Sequence, residues 1–150
     1  MIQINFHVGF ISQKFRDAEK ANPGLQHEIE AETNRRCGEN DPRRLVESDK
    51  VVREYVAGGK LPRVDWTEIV DHIDHAVKVG GVDHVGLGSD FDGADMPYGM
   101  EDASHLPQIT EALLERGYSE GGIQKILGGN TLRLLQDVEF AAKPMRGTKS

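Results

Sequence analysis

The sequence is poor in cysteine, in positive charge and in long apolar runs. A single thiol, Cys37, cannot close an internal disulfide or build a multi-thiolate metal cage, and nothing around it reads as activating a nucleophile. No stretch approaches the roughly 18 continuous apolar residues that span a bilayer, and the opening MIQINFHVGFIS lacks the basic start and long apolar core of a signal peptide. A soluble chain is expected, with its compartment left open. Lys and Arg number 18 against 25 Asp and Glu, a formal net charge of −7. No basic cluster is dense enough to neutralise a run of phosphates, so nucleic acid is not an expected partner. What is present is ordinary globular material: 150 residues, 37% hydrophobic, with 17 glycines. That amount predicts one modest domain with a core.

Ile2, Ile4 and Phe6 alternate with Gln3 and Asn5, the period of a short strand. A strand this early needs neighbours, so the protein is expected to begin inside a sheet. Residues from about 13 to 60 are rich in Glu, Arg, Lys and Ala and predict an excursion of two or three solvent-facing helices. Breaks are expected at Asn22-Pro23-Gly24 and over Gly38 to Pro42. Asp65 and Glu68 form a capping box for a helix starting at Trp66, with Ile69, Ile73, Ala76 and Val77 as its apolar stripe and Gly80-Gly81 as its end. His72 and His75 lie three apart on it, but Asp71 with His75 and Asp74 with Lys78 read as ordinary surface pairs. Further on, Ser104 to Gly117 predicts a helix with Leu106, Ile109, Leu113 and Leu114 inward. Ser119 caps a short helix to Leu127. Asn130 caps a last one through about Phe140, with Leu132, Leu135 and Val138 inward, and Ala141 to Ser150 reads as a frayed tail.

The segment His84 to Asp90 (HVGLGSD) predicts a second strand. Alternation puts Val85, Leu87 and Ser89 on one face and His84, Gly86, Gly88 and Asp90 on the other, leaving room for a ligand over the glycines with Asp90 at the strand's C-terminal end. Strand, helices, strand, helices is the order of a parallel α/β fold, whose functional groups gather at the C-terminal ends of strands. Two strands alone leave faces and edges uncovered, so a piece of something larger is expected. A dinucleotide loop is excluded, because Phe91 stands where the third glycine belongs. A calcium loop from Asp90, Asp92 and Asp95 is disfavoured by a glycine one place early for an EF-hand and by the lack of a bidentate Glu at its twelfth position. A plain Asx turn at Asp90 or Asp92 stays open beside a functional role.

The run Asp71 to Gly93 (DHIDHAVKVGGVDHVGLGSDFDG) resembles the signature of the membrane (renal) dipeptidase family, peptidase family M19. The opening IQINF with Gly9 to Ser12 after it, Glu101-Asp102 ahead of a helix, and GGNTLRLL extend the resemblance over roughly residues 2–139. It implies the C-terminal part of a metal-dependent-hydrolase (β/α)8 TIM barrel: the last two parallel strands with their helices over residues 1–140, then a tail over 141–150. It further implies hydrolysis of dipeptides at a two-zinc centre. Asp90 would be the acid/base that holds or deprotonates the metal-bridging water and passes a proton to the departing amine. His7 and Phe10 would be aromatic substrate-binding groups, and Asp92 a loop-shaping residue.

The zinc ligands of the family, a His-x-Asp pair, a bridging Glu and two later histidines, would all precede this chain's first strand. The substrate-carboxylate arginine would as well. The chain is therefore expected to supply no metal ligand and to be inactive alone. Its expected partners are a dipeptide, the missing N-terminal barrel portion or a complementary chain, and a second copy in a homodimer. The competing expectation is a non-catalytic interaction or assembly module that works through exposed sheet edges.

Overall fold

The computed structural model describes residues 1–91 and 93–146. The single domain expected from chain length is resolved into two compact units, each assembled from separated stretches of sequence. One comprises residues 1–4, 70–88 and 107 onward; the other comprises residues 5–69 and 89–106. Among the described residues no helix is long and apolar enough to cross a membrane.

The strands β1 (Ile2–Asn5) and β2 (Val85–Ser89) form a two-stranded sheet, of which residues 2–4 and 85–88 belong to the first unit. A side chain added at Gly86 would meet Met1 and Gln3, and one added at Gly88 would meet the Gln3 and Ile4 backbone at 3.2–3.3 Å. Neighbours advance in the same sense along both strands, as in parallel pairing. The glycines therefore let the strands approach closely, and the space over Gly86 is taken by Met1, Gln3 and Thr131 and does not stand open for a ligand.

Helix α5 (Thr67–Gly80) begins one residue later than expected, with Asp65 Oδ1 accepting from the Thr67 N–H at 3.3 Å, and gives way to Gly81 at φ +86°. Ile73 is fully buried in the first unit, as is Val70, which the apolar stripe had left out. The surface pairs expected along α5 are replaced by a tertiary arrangement. Arg116 engages Asp71 at 2.7 Å and also Asp74, and the Tyr118 hydroxyl donates to Asp74 at 2.8 Å. Burial first, and that hydrogen bond second, push the Tyr118 hydroxyl up to about 12.

A single 3-10 turn (Ala103–His105) replaces the expected start at Ser104, and α6 runs from Pro107 to Glu115. Ile109 and Leu113 are buried, whereas Leu114 is exposed. Ser119 caps α7 (Glu120–Gln124) by accepting from the Gly122 N–H at 3.2 Å. A π turn over Lys125–Gly129 leads into α8 (Asn130–Arg146). Asn130 has helical backbone and anchors the helix in place of the expected cap: it is buried, and its Nδ2 donates to the carbonyls of Val82 (2.7 Å) and Val85 (2.8 Å), seating the helix on the chain that enters β2. Beyond that anchor the expectation fails. Leu132, Leu135 and Val138 are 62, 56 and 58% exposed, because only the first turn of α8 is seated. The expected tail is also helical as far as Arg146, carried by the strong helix formers Ala141 and Ala142, and residues 147–150 lie outside the described residues.

The second unit contains α1 (Val8–Ile11), α2 (Gln13–Ala21), α3 (Leu25–Cys37) and α4 (Arg44–Ala57). The helical excursion and both of its breaks are where proline and glycine put them. Its helices are not merely solvated, however: Phe15, Leu25, Ile29, Val51 and Val52 are buried with Phe6, Val64 and Met100 in a core of their own. Arg36 joins α3 to α4 by bridging Glu32 (2.8 Å) and Glu54 (2.6 Å). The Cys37 thiol donates to the Thr33 carbonyl, a structural use. A parallel bridge between Asp65 and Tyr98 pins the later loop of this unit, with Trp66 N–H donating to Tyr98 and Tyr98 N–H to Val64 at 3.0 and 2.9 Å. Gly99, at φ +85°, lies where a Cβ would stand 2.6 Å from the Trp66 ring.

Candidate active site

In the second unit the backbone leaving β1 meets the backbone leaving β2. The Phe6 N–H donates to the Ser89 carbonyl at 3.0 Å, extending the ladder one step past Asn5. There β2 stops, because Ser89 and Asp90 turn to φ +36° and +82°. Left-handed backbone is uncommon for residues with a Cβ, Asp being among the more tolerant, and such positions cost on the order of 1 kcal/mol each. Strand alternation therefore ends before Asp90 and does not aim its carboxylate, contrary to the parity argument.

Asn5 holds it instead. Its Nδ2 donates to Asp90 Oδ2 at 3.0 Å, while its Oδ1 accepts the His7 N–H at 2.8 Å. A backbone N–H can only donate, so the amide oxygen must face His7 and the NH2 must face Asp90. The other carboxylate oxygen, Oδ1, lies where a Cβ at position 93 would come within 2.7 Å, so it occupies the space that Gly93 leaves free. The Gly93 N–H donates to the Asp90 carbonyl at 3.1 Å and closes the turn. The Asp90 carboxylate is thus held by the neighbouring strand end. Asp92 lies outside the described residues.

Phe91 packs edge-on against the buried Phe6 ring, centroids 5.8 Å apart at 82°. The following loop is tied down by the Val8 N–H donating to the Asp95 carbonyl at 3.0 Å. His7 Nδ1 lies 3.4 Å from that same carbonyl, and its ring stands edge-on to Phe10 at 5.0 Å. Asp90 and His7 are therefore joined through Asn5, whereas Phe10, 63% exposed, reaches the group only through the His7 ring.

Beside this turn the second unit has a cleft of about 520 Å³. It is lined by Leu45, Val46, Asp49 and Arg53 of α4 and by Phe91, Ala94 and Met96 of the later loop. Arg53 is engaged by Asp49 at 2.7 Å, by Glu101 at 3.4 Å and by the Tyr98 ring at 4.7 Å. Burial pushes the Asp95 carboxyl above its ordinary range; the His7 charge opposes that shift, and the Asp49 and Glu19 charges reinforce it. For Glu101 burial pushes upward too, but the Gly99 N–H, donating at 3.0 Å, helps turn the balance downward.

Sequence reasoning missed Asn5 and this cleft. Asn5 had a signal, a polar residue on the odd face at the end of β1. The cleft had none, since residues 42–53 and 91–101 meet only through the tertiary fold. Among the described residues no group of three or more His, Cys, Asp or Glu is placed to hold a metal ion, and the side chain that engages Asp90 is an amide. The donor set does not fit a metal centre.

A family model described as membrane dipeptidase (peptidase family M19) matches residues 1–149. The chain is 47% identical over 92 residues to dipeptidase ataJ of Aspergillus terreus, covering 61% of this chain and 22% of that protein. It is 39% identical to a metallo peptidase from Rhodobacter sphaeroides solved with a phosphinate mimic of the dipeptide L-Ala-D-Ala, with a TM-score of 0.46 over 49% of this chain and 21% of that one. The crystal structure described as the probable dipeptidase PvdM from Pseudomonas aeruginosa aligns over 89% of this chain and 36% of its own, with a TM-score of 0.56 and 27% identity. The chain spans about a fifth of the length of the curated relative.

Proposed function

Because the chain belongs to the membrane dipeptidase family, peptidase family M19, we propose that it is the C-terminal part of a zinc-dependent dipeptidase barrel, with Asp90 as its acid/base. The observation that carries this reading is the setting of Asp90. Its backbone is left-handed, one carboxylate oxygen is held by Asn5, and the other occupies the space over Gly93. Strained backbone concentrates at functional sites, where surrounding contacts hold it in place.

The chemistry follows from that arrangement. Peptide hydrolysis needs a group that takes a proton from the attacking water and returns one to the departing amine. Asp90 Oδ1 serves as the proton carrier, while the Asn5 hydrogen bond to Oδ2 holds the carboxylate against rotation. His7 and Phe10 are the aromatic groups beside the dipeptide. The two zinc ions that the resemblance implies find no seat among the described residues. The steps assigned to this chain's own side chains are therefore proton transfers and positioning.

The barrel reading is supported by the parallel advance of β1 on β2 and by the fold likeness over 89% of the chain. It also accounts for the apolar residues left exposed on α8, which in a complete barrel would have further protein to cover them.

The test is complementation. The purified chain is mixed with the N-terminal portion of a related family member and zinc, and hydrolysis of a simple dipeptide is followed. The chain alone should be inactive and the mixture active. Asp90→Asn should lower the mixture's kcat by about 10²–10⁴-fold. Hydrolysis that survives Asp90→Asn unchanged refutes the role.

A further inference from the structure

We propose that the cleft beside Asp90 receives a bulky apolar side chain of the substrate, with Leu45 and Val46 on α4 as the selecting wall and the Asp49 and Asp95 carboxylates turning acidic side chains away. This rests on the dipeptidase reading and extends it to substrate class. Three observations carry it.

The first is continuity. Phe91 and Gly93 belong both to the turn that presents Asp90 and to the lining of the cleft, and His7, joined to Asp90 through Asn5, lines it as well. A substrate whose scissile bond lies at Asp90 has a neighbouring side chain that opens directly into this space. At about 520 Å³ the cleft is within the range of small-molecule sites.

The second is the exposed apolar wall. Leu45 and Val46 are 61 and 59% exposed although they occupy the cleft-facing side of α4. Phe91, Ala94 and Met96 line the same cleft, so an apolar group entering it has further apolar surface to meet. The third is charge. Among the described residues the cleft carries three carboxyl groups, Asp49, Asp95 and Glu101, against Arg53 and His7. The Arg53 guanidinium is already held by Asp49, Glu101 and the Tyr98 ring, so it is not offered to an incoming carboxylate. An acidic side chain meets like charge without a new cationic partner.

The experiment uses the ¹⁵N-labelled full chain titrated with Gly-Phe, Gly-Glu and Gly-Gly while the backbone amides are followed by NMR. Gly-Phe should give saturable shifts at Leu45, Val46, Phe91 and Met96, and Gly-Glu should bind about tenfold more weakly or not at all. The double substitution Leu45→Ser and Val46→Ser, at two exposed positions, should weaken Gly-Phe by about tenfold. It should leave the small shifts that Gly-Gly causes around Asp90 unchanged. Equal affinity for Gly-Phe and Gly-Glu overturns the proposal, as does a double variant that binds Gly-Phe normally or a titration silent throughout. Shifts at Leu45 and Val46 that follow protein concentration and not the probe also overturn it, since a second copy would then be the occupant. Gly-Phe shifts at Asn5 and Asp90 without any at α4 sink the wall but leave the dipeptidase reading standing. Selective binding at α4 with no hydrolysis by the complemented mixture does the reverse.

Discussion

Gly93→Ala separates the geometry of Asp90 from the stability of the fold. The new Cβ would stand 2.7 Å from Asp90 Oδ1, about 0.7 Å inside the 3.4 Å at which ordinary van der Waals contact begins. The strain is relieved where resistance is least, by rotating the short Asp90 side chain. Movement of that size carries Oδ2 from 3.0 Å to beyond about 3.5 Å from Asn5 Nδ2, where the hydrogen bond is lost. Losing one exposed bond of this kind costs about 1 kcal/mol, and the reduced freedom of the unfolded chain returns roughly 0.4–1 kcal/mol. Stability should therefore change by less than about 1 kcal/mol. Catalysis should respond far more, since displacement of a reacting group by about 1 Å costs on the order of 10²-fold. Urea unfolding of the chain and kcat/KM of the complemented mixture read the two quantities separately. An unchanged kcat/KM refutes the assignment of the Asp90 carboxylate, and a fall matched by equal unfolding refutes the claim that Gly93 serves its orientation.

Asn130→Ala removes both bonds that seat α8 and leaves the Val82 and Val85 carbonyls short of a donor. It should cost about 2–4 kcal/mol, a drop of about 5–15 °C in a thermal melt; a loss below about 0.5 kcal/mol would mean that Asn130 is not the anchor. Burial raises the folded pKa of Asp95 above its unfolded value, so ionisation weakens the fold as pH rises from the unfolded value of about 4 through the folded one. Asp95→Asn should therefore be more stable than the parent at neutral pH and lose that advantage below about pH 3, as followed by urea midpoints; an advantage independent of pH contradicts the burial argument. Ser119→Ala removes the cap on α7 and should cost about 1 kcal/mol in the same assay.

Local rules were legible where a residue's own backbone preference decides. Pro23 with Gly24, and Gly38 through Pro42, broke the helices of residues 13–57 where the sequence indicated, and Ser119 capped α7 as its type predicts. The same rules failed where the deciding contact is distant in sequence. Asp71 and Asp74 have charge-pairing neighbours along their own helix, yet Arg116 and Tyr118 take them from more than 40 residues away. The stripe of Leu132, Leu135 and Val138 was a sound amphipathic pattern, but a stripe states only that something apolar should lie against it. Within the described residues of this unit nothing does.

At the candidate site the division is similar. The sequence alone determined that a strand runs into Gly88-Ser89 with Asp90 beside its end, that a turn follows, and that this run carries the family signature, because those are properties of neighbouring residues. Only the tertiary structure decided how the Asp90 carboxylate is held. Two left-handed residues break the strand's alternation, and the grip comes from Asn5, 85 positions earlier, with its amide oriented by His7. Hydrogen-bond direction and steric exclusion act between groups that the fold brings within about 3 Å, and no local pattern encodes which distant groups those are.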